Sequence, residues 1–224
     1  MRQPEDVIPH LGKGPLHWKE GRSAHALANH WWKVNALPSD VAQVLATARQ
    51  FDGAELVDAF FERDTSLGDA WQGSQTDLLA ILSLPTGGLA VMGVEAKVDE
   101  TFGRLIAEEL RKSLPSSDKK GRIERLSAML GLDRHAQEVL GSLRYQLLHR
   151  TAAALFEAER YQARTAVMLV ETFSANDAHW DDFRAFAEAL GGAPAKGALC
   201  EVSVPGEIGL WLGWCNSASR TVFA

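Results

Sequence analysis

Three charged side chains lie in residues 75–98, a stretch that is otherwise strongly apolar. Asp77 stands at the start of one apolar run, and Glu95 and Lys97 stand near the end of the next. Two carboxylates that meet at a sheet edge offer the oxygen ligands that Mg²⁺ or Mn²⁺ prefers, and an amine beside them can offset charge or assist an attacking water. This combination is typical of metal-dependent hydrolysis of phosphodiester bonds.

The three side chains meet only if the two apolar runs form a β-hairpin with the right register. Successive side chains of a strand point to opposite faces, so Glu95 and Lys97 share one face. Asp77 joins them when it lies opposite either residue, which requires a five-residue connection at 84–88 or 85–89, or a bulge. A tight two-residue turn would send Asp77 to the far face.

The remaining pattern predicts helices and strands around this hairpin. Apolar runs rich in Val and Phe predict strands over residues 55–65 and 165–173, and two short strands are predicted over 198–204 and 208–215. Capping residues and helical spacing predict helices that begin near Ser23 and at Ser39 or Asp40, and further helices over residues 102–113, 123–130, 135–161 and 177–190.

This order of elements predicts an α/β fold, with a mixed central β-sheet flanked by helices on both faces. We expect one domain over residues 1–224, in which residues 1–22 form an irregular lead-in that contains Pro4, Pro9 and Pro15. The glycine-rich signatures GxGxxG and GxxxxGK[ST] do not occur in the appropriate context, and HExxH and GxSxG do not occur at all. Mononucleotide-binding and zinc-protease classes are therefore not favoured.

Composition sets further bounds on the function. The chain is 46% hydrophobic and carries a net charge of −6, which is unusual for a nucleic-acid-binding protein, although residues 104–125 are locally basic. No apolar segment predicts a membrane span or a secretory leader, so we expect a cytoplasmic protein. Cys200 and Cys215 are expected to be reduced, and the five-residue interval between His25 and His30 argues against zinc.

The hairpin resembles the PD-(D/E)XK nuclease superfamily, whose members have a restriction-endonuclease-like core. The resemblance is carried by Asp77 on one strand and by Glu95 and Lys97 in the E-x-K arrangement on the next. Two longer stretches, SQTDLLAI and SLRYQLLHRTAAAL followed by AVMLVETFS, are also similar to bacterial members of this superfamily that have no assigned function.

The resemblance implies a Mg²⁺-dependent or Mn²⁺-dependent nuclease, with DNA favoured over RNA as the substrate. Asp77, Glu95 and the backbone carbonyl of Ala96 would be the metal ligands, and Lys97 would orient or help to deprotonate the attacking water. Glu20 matches the place where many members carry an extra acid, and Glu62 and Asp64 are alternatives.

The long helix predicted over residues 135–161 offers a second group of polar side chains. Tyr145, Gln146 and His149 lie opposite its apolar stripe, and Arg150 flanks them. In similar superfamily members such a helix approaches the cleft, which would let these four residues contact substrate phosphates or bases. The alternative is a solvated helix face on which Tyr145 and His149 contact each other.

Three other interpretations of the hairpin remain open. Asp77, Glu95 and Lys97 could form a buried structural ion pair, or the fold could serve nucleic-acid or protein binding without catalysis. A third alternative is a metal-dependent hydrolase of small molecules built on the same hairpin. A homodimer would suit a nuclease that cuts both strands of a duplex.

Overall fold

A six-stranded sheet forms the centre of the molecule. The computed structural model describes residues 3–11, 14, 18–32, 36–114 and 117–217. The spatial order of the strands is β1-β2-β3-β4-β6-β5. Their bounds are β1 Glu55–Thr65, β2 Ser74–Ser83, β3 Leu89–Lys97, β4 Thr165–Thr172, β5 Leu199–Val202 and β6 Gly209–Asn216. The predicted α/β class with a mixed sheet is therefore confirmed.

The sheet combines antiparallel and parallel pairs. Strands β1, β2 and β3 are antiparallel neighbours, β4 pairs in parallel with both β3 and β6, and β5 returns antiparallel to β6. Every residue of β4 is buried, as expected for a central strand covered on both faces, which explains its nearly continuous apolar sequence.

The register of the β2–β3 hairpin agrees with the predicted five-residue connection. Ser83 lies opposite Leu89, so residues 84–88 form the connection. Gly87 and Gly88 have φ angles of 90° and 85°, in the left-handed region that glycine adopts without a steric penalty. The pairing of Leu78 with Val94 at the far end places the next two residues, Asp77 and Glu95, at the same level.

Helices cover both faces of the sheet. Their bounds are α1 Ser23–Trp31, α2 Ser39–Leu45, α3 Ile106–Lys112, α4 Lys119–Met129, α5 Gln137–Ser142, α6 Tyr145–Arg160 and α7 Trp180–Ala189. Helix α6 packs on one face with Leu79 and Val91, and α1 and α2 pack on the other with Leu78 and Met92. Alternate residues of these strands pack into the apolar core on one face of the sheet or the other. A charged side chain at such a position is therefore unusual.

The single helix predicted over residues 135–161 is wrong. Helix α5 ends at Ser142, and α6 begins at Tyr145. Between them the backbone is extended, and it pairs with the segment before α3: Ile106 donates to the Leu143 carbonyl at 2.9 Å, and Tyr145 donates to the Arg104 carbonyl at 3.1 Å. These long-range hydrogen bonds replace the bonds that a continuous helix would make.

Other predictions needed smaller corrections. Helix α3 begins at Ile106, later than predicted, and α4 begins earlier, at Lys119. The lead-in is not wholly irregular, because Pro4–His10 forms a 3₁₀ helix. Of the lead-in, residues 1, 2, 12, 13 and 15–17 lie outside the described residues. Cys200 and Cys215 are buried thiols, in agreement with the prediction that both are reduced. No helix in the described ranges is long and apolar enough to cross a membrane.

Candidate active site

Three carboxylate residues lie side by side on neighbouring strands. The β1–β2 register places Glu62 opposite Asp77. The β2–β3 pairs end one residue before Asp77 and Glu95, which follow at the same level. By strand alternation all three share the face that α6 covers. Glu62 has a φ of 52°, in the left-handed region that a residue with a Cβ adopts at a cost, which is common where a side chain is held for function.

Asp77 is tied to the end of β3 through the backbone. Its Oδ2 atom accepts a hydrogen bond from the Ala96 amide at 2.8 Å. The next carbonyl, that of Lys97, accepts from the Phe173 amide on the β4 side at 2.7 Å. Since successive peptide groups of a strand point to opposite sides, the Ala96 carbonyl faces β2, on the side of Asp77. The predicted backbone ligand therefore lies on the same side as the predicted carboxylate.

Glu95 is the centre of a buried hydrogen-bond network. Its side chain is 2% exposed and accepts from three residues. Its Oε1 accepts from Lys97 Nζ at 2.6 Å and from Gln146 Nε2 at 2.5 Å, and its Oε2 accepts from Arg150 Nε at 2.5 Å. Charge-assisted hydrogen bonds of this length are strong, so the carboxylate of Glu95 is held rigidly.

Lys97 is also buried, with a side chain that is 6% exposed. Its amine donates to Gln146 Oε1 at 3.2 Å and lies 5.1 Å from the centre of the Phe102 ring. A buried ammonium needs such partners, because losing its hydration is costly. The lysine is therefore positioned beside Glu95, as the E-x-K pattern predicted.

The carboxylates of the site have very different proton affinities. Burial alone would raise the pKa of Glu95, but the positive charges of Arg150 and Lys97 outweigh that effect and lower it to about 2. Burial and then the charge of Glu95 raise the pKa of Asp77 to about 7. Burial and then Asp77 raise the pKa of Glu62 to about 8. Crowded carboxylates that repel one another are a suitable site for a divalent cation.

The polar residues of α6 face the sheet, so the solvated-face alternative is wrong. Tyr145 is 9% exposed, and Gln146 and Arg150 bind Glu95 directly. His149 Nδ1 lies 2.8 Å from the Ser74 hydroxyl oxygen. The rings of Tyr145 and His149 are 4.9 Å apart, as their spacing predicted.

His149 and Arg150 share Ser74 as a partner. Arg150 Nη1 donates to the Ser74 hydroxyl at 2.8 Å while its Nε holds Glu95. Burial and the neighbouring Arg150 charge move the pKa of His149 well below its usual value, so the imidazole is neutral. Three residues predicted as substrate-contacting, Gln146, His149 and Arg150, are therefore already engaged in holding the site.

The structure brings Glu62, rather than Glu20, to the carboxylate pair. Glu20 is exposed in the loop before α1, and among the described residues no hydrogen bond or ion pair joins it to Asp77 or Glu95. Glu62 could be recognised only from the β1–β2 register, since nothing in the local sequence distinguishes it from the neighbouring acid Asp64, which is exposed.

The carboxylate cluster predicts an unusual stability change for Asp77→Asn. A carboxyl whose folded pKa is raised stabilises the protein at low pH, and that stability is lost as pH rises from about 4 to about 7, where the folded group ionises. Without divalent metal, Asp77→Asn should therefore unfold at a higher temperature than the wild type at pH 9, by about 2 kcal/mol or roughly 4 to 8 °C, and by much less at pH 5.

Thermal unfolding in EDTA between pH 5 and pH 9 tests this expectation. Asp52→Asn is the matched control, because Asp52 is exposed and lies in a loop. If the difference in unfolding temperature between Asp77→Asn and the wild type is the same at every pH, Asp77 does not titrate in this range.

The fold and the site together define an α/β protein with a buried carboxylate, lysine and arginine cluster at the end of a β-hairpin. Residues 1–219 match a family described as a domain of unknown function, DUF6946, and the chain belongs to that family. No curated protein and no solved structure matches the chain.

Proposed function

We propose that this protein is a divalent-metal-dependent nuclease of the PD-(D/E)XK type. The observation that carries the proposal is the register of the β2–β3 hairpin, which sets Asp77 opposite Glu95 on one face. Lys97 follows on the same face and contacts Glu95. A charged triad at inward positions of two otherwise apolar strands is unusual, and its residue types suit phosphodiester hydrolysis.

The topology supports a restriction-endonuclease-like core. A helix, α1, precedes three antiparallel strands, β1 to β3, and a second helix, α6, leads into β4, which pairs in parallel with β3. The helix α6 covers the face that carries the carboxylates. This order agrees with the resemblance found in the sequence.

The residues present fit a hard divalent cation such as Mg²⁺ or Mn²⁺. Asp77, Glu95 and the Ala96 carbonyl supply oxygen atoms on one side of the hairpin, and Glu62 lies on the same face of the neighbouring strand β1. When bound, such an ion would act as a Lewis acid and lower the pKa of a coordinated water. Its charge would also relieve the repulsion that raises the pKa of Asp77 and Glu62.

The other residues of the site have distinct roles in this proposal. Lys97 provides a fixed positive charge and a hydrogen-bond donor beside the place where the phosphate reacts. Gln146 and Arg150 hold the Glu95 carboxylate in one orientation. A catalytic group that is already held in one geometry lowers the activation barrier, because less entropy is lost on reaching the transition state.

A basic surface beside α6 supports a nucleic-acid substrate, with DNA favoured. Helix α4, which carries Lys119, Lys120, Arg122 and Arg125, packs against α6, and Lys119 Nζ lies 4.5 Å from the centre of the Tyr145 ring. Clustered lysines and arginines attract phosphates even on an acidic protein. Arg122 is held by Asp69 at 2.5 Å, whereas Lys119 and Lys120 make longer ion pairs of 3.5 and 3.7 Å with neighbouring glutamates, so the two lysines are the better candidates for this contact.

One observation favours a second candidate, a nuclease-like fold that binds without cleaving. Both oxygens of Glu95 are already occupied, by Lys97 and Gln146 on one side and by Arg150 on the other. A carboxylate so fully paired has less capacity left for a metal. In this alternative the network is structural, and the basic surface alone binds the partner.

Cleavage assays with and without metal separate the two candidates. Wild-type protein should cleave plasmid DNA, single-stranded DNA or RNA in Mg²⁺ or Mn²⁺ and not in EDTA, and Asp77→Ala should lose the activity by at least about a hundredfold because it removes a ligand. Asp52→Ala, an exposed acid in a loop, should cleave like the wild type.

The outcome of these assays is decisive in either direction. Cleavage that persists in Asp77→Ala would come from a contaminant or from another site and would overturn the assignment. Metal-dependent hydrolysis of a small phosphodiester, with no cleavage of any polymer, would favour a small-molecule hydrolase. Failure to hydrolyse any of these substrates would favour the binding protein.

A further inference from the structure

A second group of buried charged side chains lies on the opposite face of the sheet. His30 belongs to α1, Asp40 to α2 and Glu171 to β4. Glu171 lies opposite Ala96 in the β3–β4 register, so its side chain is on the face away from Glu95. One ligand atom from each member of this His30 cluster lies within 4.8 Å of the other two.

The contacts within the His30 cluster resemble a prepared ligand set. His30 Nδ1 lies 2.5 Å from Glu171 Oε1, and His30 Nε2 lies 3.2 Å from Asp40 Oδ1. Glu171 also accepts hydrogen bonds from the Trp31 indole at 2.9 Å and from the Ser217 hydroxyl at 3.0 Å. Donors of this kind fix the orientation of metal-binding carboxylates in proteins.

The net charge of the His30 cluster favours binding of a divalent cation over binding of a proton. With His30 protonated, one positive charge faces two negative ones. Within the part of the chain that the structure describes, no lysine or arginine pairs with Asp40 or Glu171. Glu171 is 0% exposed and Asp40 is 8% exposed, and besides His30 the Ser217 hydroxyl supports both carboxylates. Two buried carboxylates that face one monovalent cation retain a net negative charge, which is costly.

We propose that His30, Asp40 and Glu171 bind one transition-metal ion of the Zn²⁺ class. One imidazole and two carboxylates suit zinc better than magnesium, which prefers an all-oxygen environment. On binding, the ring nitrogen that takes the ion releases its proton to solvent, and the carboxylate that accepted from that nitrogen becomes a ligand. The other carboxylate must turn from the second ring nitrogen to reach the ion. The two positive charges of the ion then balance the two carboxylates.

The site would act as a structural clamp. Ligand atoms of a tetrahedral zinc ion lie about 3.3 to 3.6 Å apart, and those of the cluster lie within 4.8 Å of one another, so the ion requires His30 to move away from Glu171 and one carboxylate to turn. The three ligands come from α1, α2 and β4, and an ion would fasten both helices to the sheet. Histidine spacing cannot reveal such a site, because each ligand lies on a different element.

Zinc titration of the full chain tests the proposal. After treatment with a chelator, wild-type protein should bind one Zn²⁺ in competition with a chromophoric chelator, and its unfolding temperature should rise with zinc. His30→Gln and Asp40→Asn should each weaken binding by at least about tenfold. His25→Gln is the matched control, because His25 lies on the same helix and contacts Asn29 instead.

Two further measurements make the test independent of folding defects and of the proposed nuclease. X-ray absorption of the zinc-loaded wild type should show nitrogen and oxygen ligands without sulfur, so a cysteine ligand would overturn the assignment. Asp77→Asn should keep zinc affinity unchanged, whatever the cleavage assays show. Absence of wild-type binding, equal binding by His30→Gln, or loss in Asp77→Asn would each refute the site.

Discussion

Lys97→Met should reduce divalent-dependent cleavage by a factor of about 10² to 10⁴ while leaving metal affinity nearly intact. Methionine retains most of the volume of the lysine side chain, which is 6% exposed, so the packing against Phe102 is largely preserved. The substitution removes the amine beside the reacting phosphate, and Lys97 is not a metal ligand. The expected loss is therefore in the rate of cleavage rather than in the binding of the ion.

Single-turnover cleavage and calorimetric titration with Mn²⁺ measure these two quantities separately. Lys119→Met is the matched control, because it removes a lysine at the surface of the same region and should weaken DNA binding without affecting the rate at saturation. If Lys97→Met loses metal binding to the same extent as cleavage, the assigned role is wrong.

The face on which each hairpin residue lies could be predicted from the sequence, because side chains alternate along a strand and the length of the connection fixes the register. Strand alternation puts Glu95 and Lys97 together, and only a connection of the right length brings Asp77 to the same face. Two consecutive glycines, Gly87 and Gly88, supply the left-handed backbone that the observed connection requires. Local pattern was sufficient here because both strands are adjacent in the chain.

The break before α6 could not be predicted from the same kind of pattern. Residues 135–161 have helical spacing, but Leu143 and Tyr145 exchange backbone hydrogen bonds with the segment before α3. That pairing joins residues about 40 positions apart in the chain. Tertiary contacts of this kind override local helix propensity, which is a weak preference. The break matters for function, since it sets the start of α6 and hence the direction in which Gln146 points.

Two members of the site are placed by pairings between elements rather than by local sequence. Glu62 joins Asp77 through the β1–β2 register, and Arg150 reaches Glu95 across the face of the sheet. Arg150 was recognised as a flanking cation, but its partner was not. Pairings between elements decide such contacts, and spacing within one element carries no information about them.

Arg150→Met should lower the free energy of unfolding by about 3 to 5 kcal/mol in the absence of metal. The substitution leaves Glu95 buried, with its Oε2 deprived of the Arg150 hydrogen bond. Urea unfolding in EDTA measures the loss. The double variant Glu95→Gln with Arg150→Met should recover part of it, because a neutral amide does not require Arg150, although it leaves Lys97 without its carboxylate partner. Arg160→Met is the control, since Arg160 is 64% exposed and makes only a 4.0 Å ion pair.

Adding Mg²⁺ or Mn²⁺ to the same variants distinguishes the two candidate functions. If Asp77 and Glu95 bind metal, Arg150→Met frees a carboxylate oxygen, so the ion should stabilise this variant more than it stabilises the wild type. The double variant with Glu95→Gln should lose that gain. If the cluster is only structural, the divalent ions should leave Arg150→Met as unstable as it is in EDTA, because no ion would then replace the Arg150 guanidinium at Oε2 of Glu95.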